Sequence, residues 1–319
     1  MRTAHVAALF SLAAFPAAGE FSLSFPVECT LGETCFIEDY TDRDASDGTA
    51  RDYTCGLNTR DSHRGTDIAT LDFDISGNPT NVLAAAPGRV QRIRDSMADD
   101  FRMAGVTEDN ACGNAVLIQH EGGYQTLYCH LRQTSVSVRP GDMVATGDVL
   151  GQIGLSGQTT HPHLHLTVIK DGARVDPFRP DGAETCDSTS GASLWAETPD
   201  YHDTLLRLAG FSDGVPDYDA LREGTARRDM LRPMDAMVVY AEAGFAQDGD
   251  TLTITATGPE GEVFTNTRRM TDPRKSQLPA FGKRAPQGGW APGDYTGQIT
   301  LRRDGVLIAN RWAHVTVAP

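Results

Sequence analysis

The stretch TTHPHLHLTV, Thr159 to Val168, places three of the chain's nine histidines within five residues. After Pro162 it alternates, with His163, His165 and Thr167 on one side and Leu164, Leu166 and Val168 on the other. Residues two apart share a face of a β-strand, whereas on a helix they diverge by about 200°. A strand therefore sends two imidazoles out together while its leucines enter a core. Taken alone, the pair is as compatible with two surface histidines as with a metal grip.

The flanking sequence supports a β reading. VLAAAPGRVQRI (82–93) and VSVRPGDMVATGDVLGQIG (136–154) carry β-branched runs broken by Pro-Gly and Gly-Asp turns, and NAVLIQHEGGYQTLYCHL (114–131) reads as two strands joined at Gly122-Gly123. We expect a mainly β protein with an antiparallel core. RDSMADDFRMAGVTEDNACG (94–113) is long, polar and acidic, the composition of a surface loop or lid. YHDTLLRLAGF (201–211) and YDALREGTARR (218–228) have helical spacing around the breaker-rich SDGVPD, which predicts a short helical linker over 191–230. From Met237 onward strands return with turn signals, and residues 231–319 are expected to form an immunoglobulin-like β-sandwich. Trp290, between glycine and proline turns, is expected to bury against that sandwich.

Residues 1–19 read as an export signal, with Arg2, an apolar run from Val6 to Phe15, and small residues at Ala17 and Gly19. The run is shorter than the ~20 residues that span a bilayer, and no later segment approaches that length. The expected location is periplasmic or secreted, without a membrane span. All six cysteines follow the signal, an even number that in an exported chain favours disulfides. The expected pairs are Cys29–Cys35, Cys112–Cys129 and Cys55–Cys186.

Residues 20–187 hold 26 Asp and Glu against 13 Lys and Arg, a net charge of −13, whereas the remainder up to residue 319 is close to balanced. A polyphosphate would be repelled by the acidic part, so nucleic acid is not an expected partner.

Two further histidine motifs precede the first. SHRGTD (62–67) offers His63 and Asp67 around Gly65, in a loop entering a strand, where a turn can bring an imidazole and a carboxylate to one ion. In LYCHL (127–131), alternation puts His130 on the face of Tyr128, opposite Leu127, Cys129 and Leu131. His120 with Glu121 begins a HExxH pattern, but residue 124 is Tyr and the second histidine is missing. His161, His202 and His314 have no partner pattern. The hairpins around AAAPGRV and VRPGDMVATGDVL also look like biotinyl or lipoyl carriers, yet the only lysine between residues 20 and 187 is Lys170, outside both.

Together, and in this order, HRGTD, YCHL and SGQTTHPHLHLTV resemble the lysostaphin/LytM-type zinc metallopeptidases that cut peptide cross-links of bacterial peptidoglycan. The resemblance covers about residues 50–180, within a metallopeptidase domain expected over 20–190. It implies Zn2+ ligation by His63, Asp67 and His165, with His130 and His163 as catalytic imidazoles beside the metal. It implies peptidoglycan stem peptides as substrate, while the C-terminal domain could hold a protein partner. The chain departs from the family pattern at His161, where a glycine is usual, and at Leu166, where an aromatic is usual. The competing expectation is a catalytically silent envelope protein that binds and regulates another wall hydrolase.

Overall fold

The computed structural model describes residues 20–318, apart from 45, 72, 74, 76–78, 183–192, 203 and 272–273. The expected signal segment thus lies outside the described residues. The N-terminal part carries β1 (Cys35–Asp39), β2 (Thr66–Thr70), β3 (Asn81–Leu83), β4 (Gly88–Arg94), β5 (Asn114–Gln119), β6 (Tyr124–Leu131), β7 (Met143–Val144), β8 (Val149–Gln152), β9 (His163–Lys170) and β10 (Ala173–Val175). The C-terminal part carries β11 (Leu205–Ser212), α1 (Tyr218–Arg222), β12 (Met230–Leu231), β13 (Met237–Ala246), β14 (Thr251–Gly258), β15 (Gly261–Arg269), β16 (Arg274–Gln277), β17 (Ala280–Lys283), β18 (Gly293–Arg303) and β19 (Val306–Val317).

The expected mainly β, antiparallel architecture is what the chain adopts. One sheet runs β1-β2-β9-β6-β5-β4-β7, with β10 pairing to β9, and β3 with β8 forms a separate ribbon. The leucine face of β9 is the core face: Leu164 and Leu166 are fully buried beside Ile68, Tyr128 and Leu131. Burying each such side chain stabilises the sheet by roughly 1.5–3 kcal/mol, and the opposite face of the same strands is left to carry polar groups.

In the C-terminal part, the sheet of β11, β13, β16 and β17 and the sheet β12-β19-β18-β14-β15 enclose a shared core that includes Phe211, Val239, Ile254 and Ile299. Trp290 is half-buried against this core, its indole N–H donating to the Asp235 carbonyl at 2.9 Å.

The helical linker requires correction. Tyr218–Arg222 is a short helix capped by the Asp217 carboxylate, which accepts from the Ala220 amide, but Leu205–Ser212 is a strand pairing antiparallel with β13. The reason lies in its environment. Leu206 and Phe211 enter the C-terminal core while Leu205 joins Phe36 and Ala69 of the N-terminal sheet. A strand buried on both faces loses its period-2 alternation, and a register shift between Leu206 and Ala209 disturbs the pattern further.

Cys29–Cys35 and Cys112–Cys129 are disulfide-bonded. Cys55 is disulfide-bonded as well, and its expected partner Cys186 lies outside the described residues. Among the described residues, no helix is long and apolar enough to cross a membrane.

Candidate metal centre

Register builds the site. Asp39 of β1 pairs with Asp67 of β2, Asp67 pairs with His165 of β9, and His165 pairs with Cys129 of β6. Directly opposed residues hold their Cβ atoms about 4.5–5.5 Å apart on one face, so the carboxylate of Asp67 and the imidazole of His165 meet without any special loop. His165 Nδ1 lies 2.6 Å from Asp67 Oδ1. His63, arriving from the loop before β2, puts Nε2 3.1 Å from both Asp67 Oδ2 and His165 Nδ1. One ligand atom from each of His63, Asp67 and His165 lies within 4.8 Å of the others. Gly65 permits this approach: a Cβ there would stand 2.7 Å from the His165 ring and 2.6 Å from the Leu166 carbonyl.

His130 and His163 border the same group, their ring centroids 4.7 Å apart. His163 is where alternation predicts. His130 is not, and the expected face assignment is corrected here. Tyr128 and Leu131 both enter the core, whereas Cys129 opposes His165 on the site face. His130 has φ of +63°, a left-handed conformation uncommon for a residue with a Cβ. That turn interrupts the alternation and swings the ring to the site side, 6.0 Å from the His165 ring. The amide of His130 donates to the Cys112 carbonyl at 2.8 Å, which ties the turn to the Cys112–Cys129 disulfide.

Each imidazole is held at its far nitrogen. His63 Nδ1 donates to the Tyr40 carbonyl at 2.7 Å, His130 Nδ1 to the Ser156 carbonyl at 2.8 Å, and His163 Nδ1 to the His161 carbonyl at 2.8 Å. A carbonyl only accepts, so in the neutral rings each Nδ1 carries the hydrogen and each Nε2 presents a lone pair inward. His165 is reversed, with Nε2 3.0 Å from the Thr167 hydroxyl and Nδ1 facing the cluster. The buried Nε2 of His163 has no hydrogen-bond partner among the described residues.

Electrostatics divide the four rings. Burial acts to lower the affinity of His63 for a proton, but the Asp67 carboxylate beside it outweighs this and raises its pKa. Burial pushes His130 well below the usual histidine value, helped by His163 and His165, and burial also lowers His165. Burial would raise Asp67, yet the surrounding imidazoles hold it well below the usual carboxylate range.

These features fit a zinc ion. Two imidazole nitrogens and a carboxylate oxygen are suitable donors, and hydrogen bonds from the outer nitrogens to carbonyl or hydroxyl groups are the usual way such ligands are oriented. Inward lone pairs only 3.1 Å apart repel one another unless a cation or proton lies between them.

Residues 61–177, the stretch that carries all five of these side chains, match the sequence profile of Peptidase family M23. They form an M23 peptidase domain. DD-carboxypeptidase/endopeptidase Mpg of Neisseria meningitidis is 43% identical over 65 residues, which is 20% of this chain and 14% of that protein. Peptidoglycan DD-endopeptidase ShyC of Vibrio cholerae is 31% identical over 116 residues, 36% of this chain and 22% of that protein. The chain thus spans less than a quarter of the length of either curated relative. The solved catalytic domain of the antimicrobial peptidase lysostaphin from Staphylococcus simulans overlaps 44% of this chain and 85% of that domain at 20% identity, with a TM-score of 0.29. An overlap of that size carries no argument about function.

Some neighbours of the cluster were not legible in the sequence. Arg60 bridges the carboxylates of Asp39 and Asp67, the latter at 2.8 Å. Asp39 is fully buried. Nothing in ETCFIED marks it as a neighbour of the site. Thr167 carried a usable signal, since it lies two residues after His165 on the same strand face.

Proposed function

We propose that the protein is a zinc-dependent endopeptidase that cleaves peptide cross-links of bacterial peptidoglycan, with His63, Asp67 and His165 holding the metal and His130 and His163 as the catalytic pair. The observation that carries this reading is the convergence of ligand atoms of His63, Asp67 and His165 within 4.8 Å, with the His130 and His163 rings beside them, in the stretch that matches Peptidase family M23. The printed names of Mpg and ShyC, both endopeptidases, support the reaction class.

Zinc in such a site lowers the pKa of a bound water towards ~7 and polarises a carbonyl oxygen. The chain's residues supply the rest. His130, kept neutral by burial, offers Nε2 as a proton acceptor at neutral pH and, because its conjugate acid is strong, returns the proton readily to a leaving amine. His163 directs its Nε2 to the same space, with Nδ1 fixed on the His161 carbonyl. Burial of Leu164 between His163 and His165 locks both rings to a rigid strand.

The same reading makes 1–19 a cleaved export signal, 20–190 the catalytic domain and 231–319 an immunoglobulin-like module, and it places the protein in the periplasm or outside the cell. The favoured bond is the direct D-alanyl cross-link of a thin wall. Elemental analysis of the mature protein, paired with digestion of purified muropeptides, tests the proposal. We expect about one zinc per chain and cross-link cleavage, with both lost in His165→Ala. Stoichiometric zinc without cleavage would replace this reading with that of a silent wall-binding protein.

A further inference from the structure

The C-terminal sheets reach into the surroundings of the metal centre through one side chain. Arg207, on β11, is buried, and its planar fork holds a carboxylate from each part of the molecule. Nη1 donates to Glu38 Oε1 of β1 at 2.7 Å, and Nη2 pairs with Glu242 of β13. The Ser276 hydroxyl also donates to Glu242, at 2.5 Å, and meets the Tyr218 hydroxyl at 2.8 Å. On the other side, the second oxygen of Glu38 lies 3.2 Å from His161 Nδ1, and Arg207 Nη1 lies 3.4 Å from the same nitrogen. The His161 ring sits between Phe36 and Phe73, with centroids 6.4 and 5.2 Å away. The carbonyl of His161 is the acceptor that fixes His163 Nδ1.

We propose that Arg207 is a positioning residue for His163: its fork fixes Glu38, Glu38 fixes the His161 ring, and the His161 carbonyl sets the orientation and tautomer of the His163 ring. The C-terminal sheets then belong to the catalytic unit. This inference rests on the reading of His163 as a catalytic imidazole.

Two features favour a positioning role over simple adhesion. The apolar contact of Leu205 with Phe36 and Ala69 already joins the two parts, so a buried ion network is not required for cohesion, and such networks often stabilise no more than apolar replacements do. In addition, Thr159 and His161 both lie in the short segment that enters β9, and both contact His163 Nδ1, the hydroxyl of Thr159 at 3.1 Å. A displaced His161 therefore moves the acceptor directly. Lysine cannot substitute for the fork, because a single ammonium does not hold two carboxylates in fixed planar geometry.

The test uses the full chain, labelled with 15N-histidine, and four variants. Arg207→Met alone strands two buried carboxylates. The triple variant Arg207→Met, Glu38→Gln, Glu242→Gln removes these three charges together, and His161→Phe keeps the ring's apolar seat while cutting its link to Glu38. Expected for the triple variant and for His161→Phe are one zinc per chain, unchanged His63 and His165 side-chain resonances, a shifted or exchange-broadened His163 Nδ1–H resonance, and kcat on a soluble cross-linked muropeptide lowered about 10- to 100-fold, the effect of an ångström-scale misplacement, with KM unchanged. Arg207→Lys should behave like the triple variant. The proposal is overturned if either folded variant keeps the wild-type His163 resonance and kcat. If the triple variant does not fold, His161→Phe decides alone. A wild-type protein that binds zinc without cleaving would refute the peptidase reading, while the His163 resonance would still decide the positioning claim.

Discussion

Thr167→Val isolates one orienting hydrogen bond while nearly preserving volume. The Thr167 hydroxyl lies 3.0 Å from His165 Nε2, and Thr167 is buried at 4% exposure. Valine removes the acceptor and leaves an imidazole N–H facing a methyl group. An unsatisfied buried donor costs roughly 1–3 kcal/mol. The His165 side chain is 16% exposed, so water recovers part of this and the lower half of that range applies. Because the neutral ring must keep its hydrogen on Nε2 to offer Nδ1 as ligand, most of the loss falls on metal binding. The expected weakening of zinc affinity is about 10- to 30-fold, within the ~10–100-fold usual for removing a partner that orients a ligand. Competition titration against a chromophoric chelator measures it, and Thr167→Ser should bind zinc like the wild type. Wild-type affinity in Thr167→Val would refute the claim that this hydroxyl sets the His165 tautomer.

Gly65→Ala drives a methyl into the His165 ring and the Leu166 carbonyl, and at least a ~10-fold loss of zinc affinity is expected by the same titration. Removing the Cys112–Cys129 bridge, with sequence separation 17, should cost about 3 kcal/mol in denaturant unfolding, and kcat should fall in the folded fraction because the His130 amide is anchored on the Cys112 carbonyl. Burial pushes the Asp176 carboxyl up to about 6 from its ordinary 3.8, against the opposing Phe178 amide and Arg43. A raised carboxyl pKa means that the folded state binds the proton more tightly. The contribution of Asp176 to stability is therefore greatest below about pH 4 and is lost as pH rises to about 6, by about 3 kcal/mol for about two pKa units. Asp176→Asn should gain stability over the wild type by that amount between pH 4 and pH 7 in denaturant titrations, and an unchanged difference would contradict the assignment.

How far the sequence reached depended on where local pattern and tertiary context agreed. HPHLHLTV was legible because one face of β9 is core and the other is the site, so strict alternation survives. His63 and Asp67 were found as residue types. Their convergence rests on the β2–β9 register, in which Asp67 lies opposite His165, and the motif alone did not display that pairing. His130 misled the face assignment because a single positive φ breaks the period. Leu205–Ser212 misled the helix reading because burial on two sides mixes apolar residues into both faces, and a bulge then resembles helical spacing. Asp39, Glu38 and Arg207 gave no signal at all: their roles arise between segments far apart in sequence, where only the fold brings the charges together.

The central claim is that His63, Asp67 and His165 form one zinc site, and the most direct measurement is zinc K-edge X-ray absorption fine structure on the full-length protein. Two imidazole nitrogens at about 2.0–2.1 Å, with the remaining ligands oxygen, are predicted, falling to one imidazole or to loss of bound metal in His165→Ala. A shell of oxygen alone, or a spectrum that His165→Ala leaves unchanged, would contradict it.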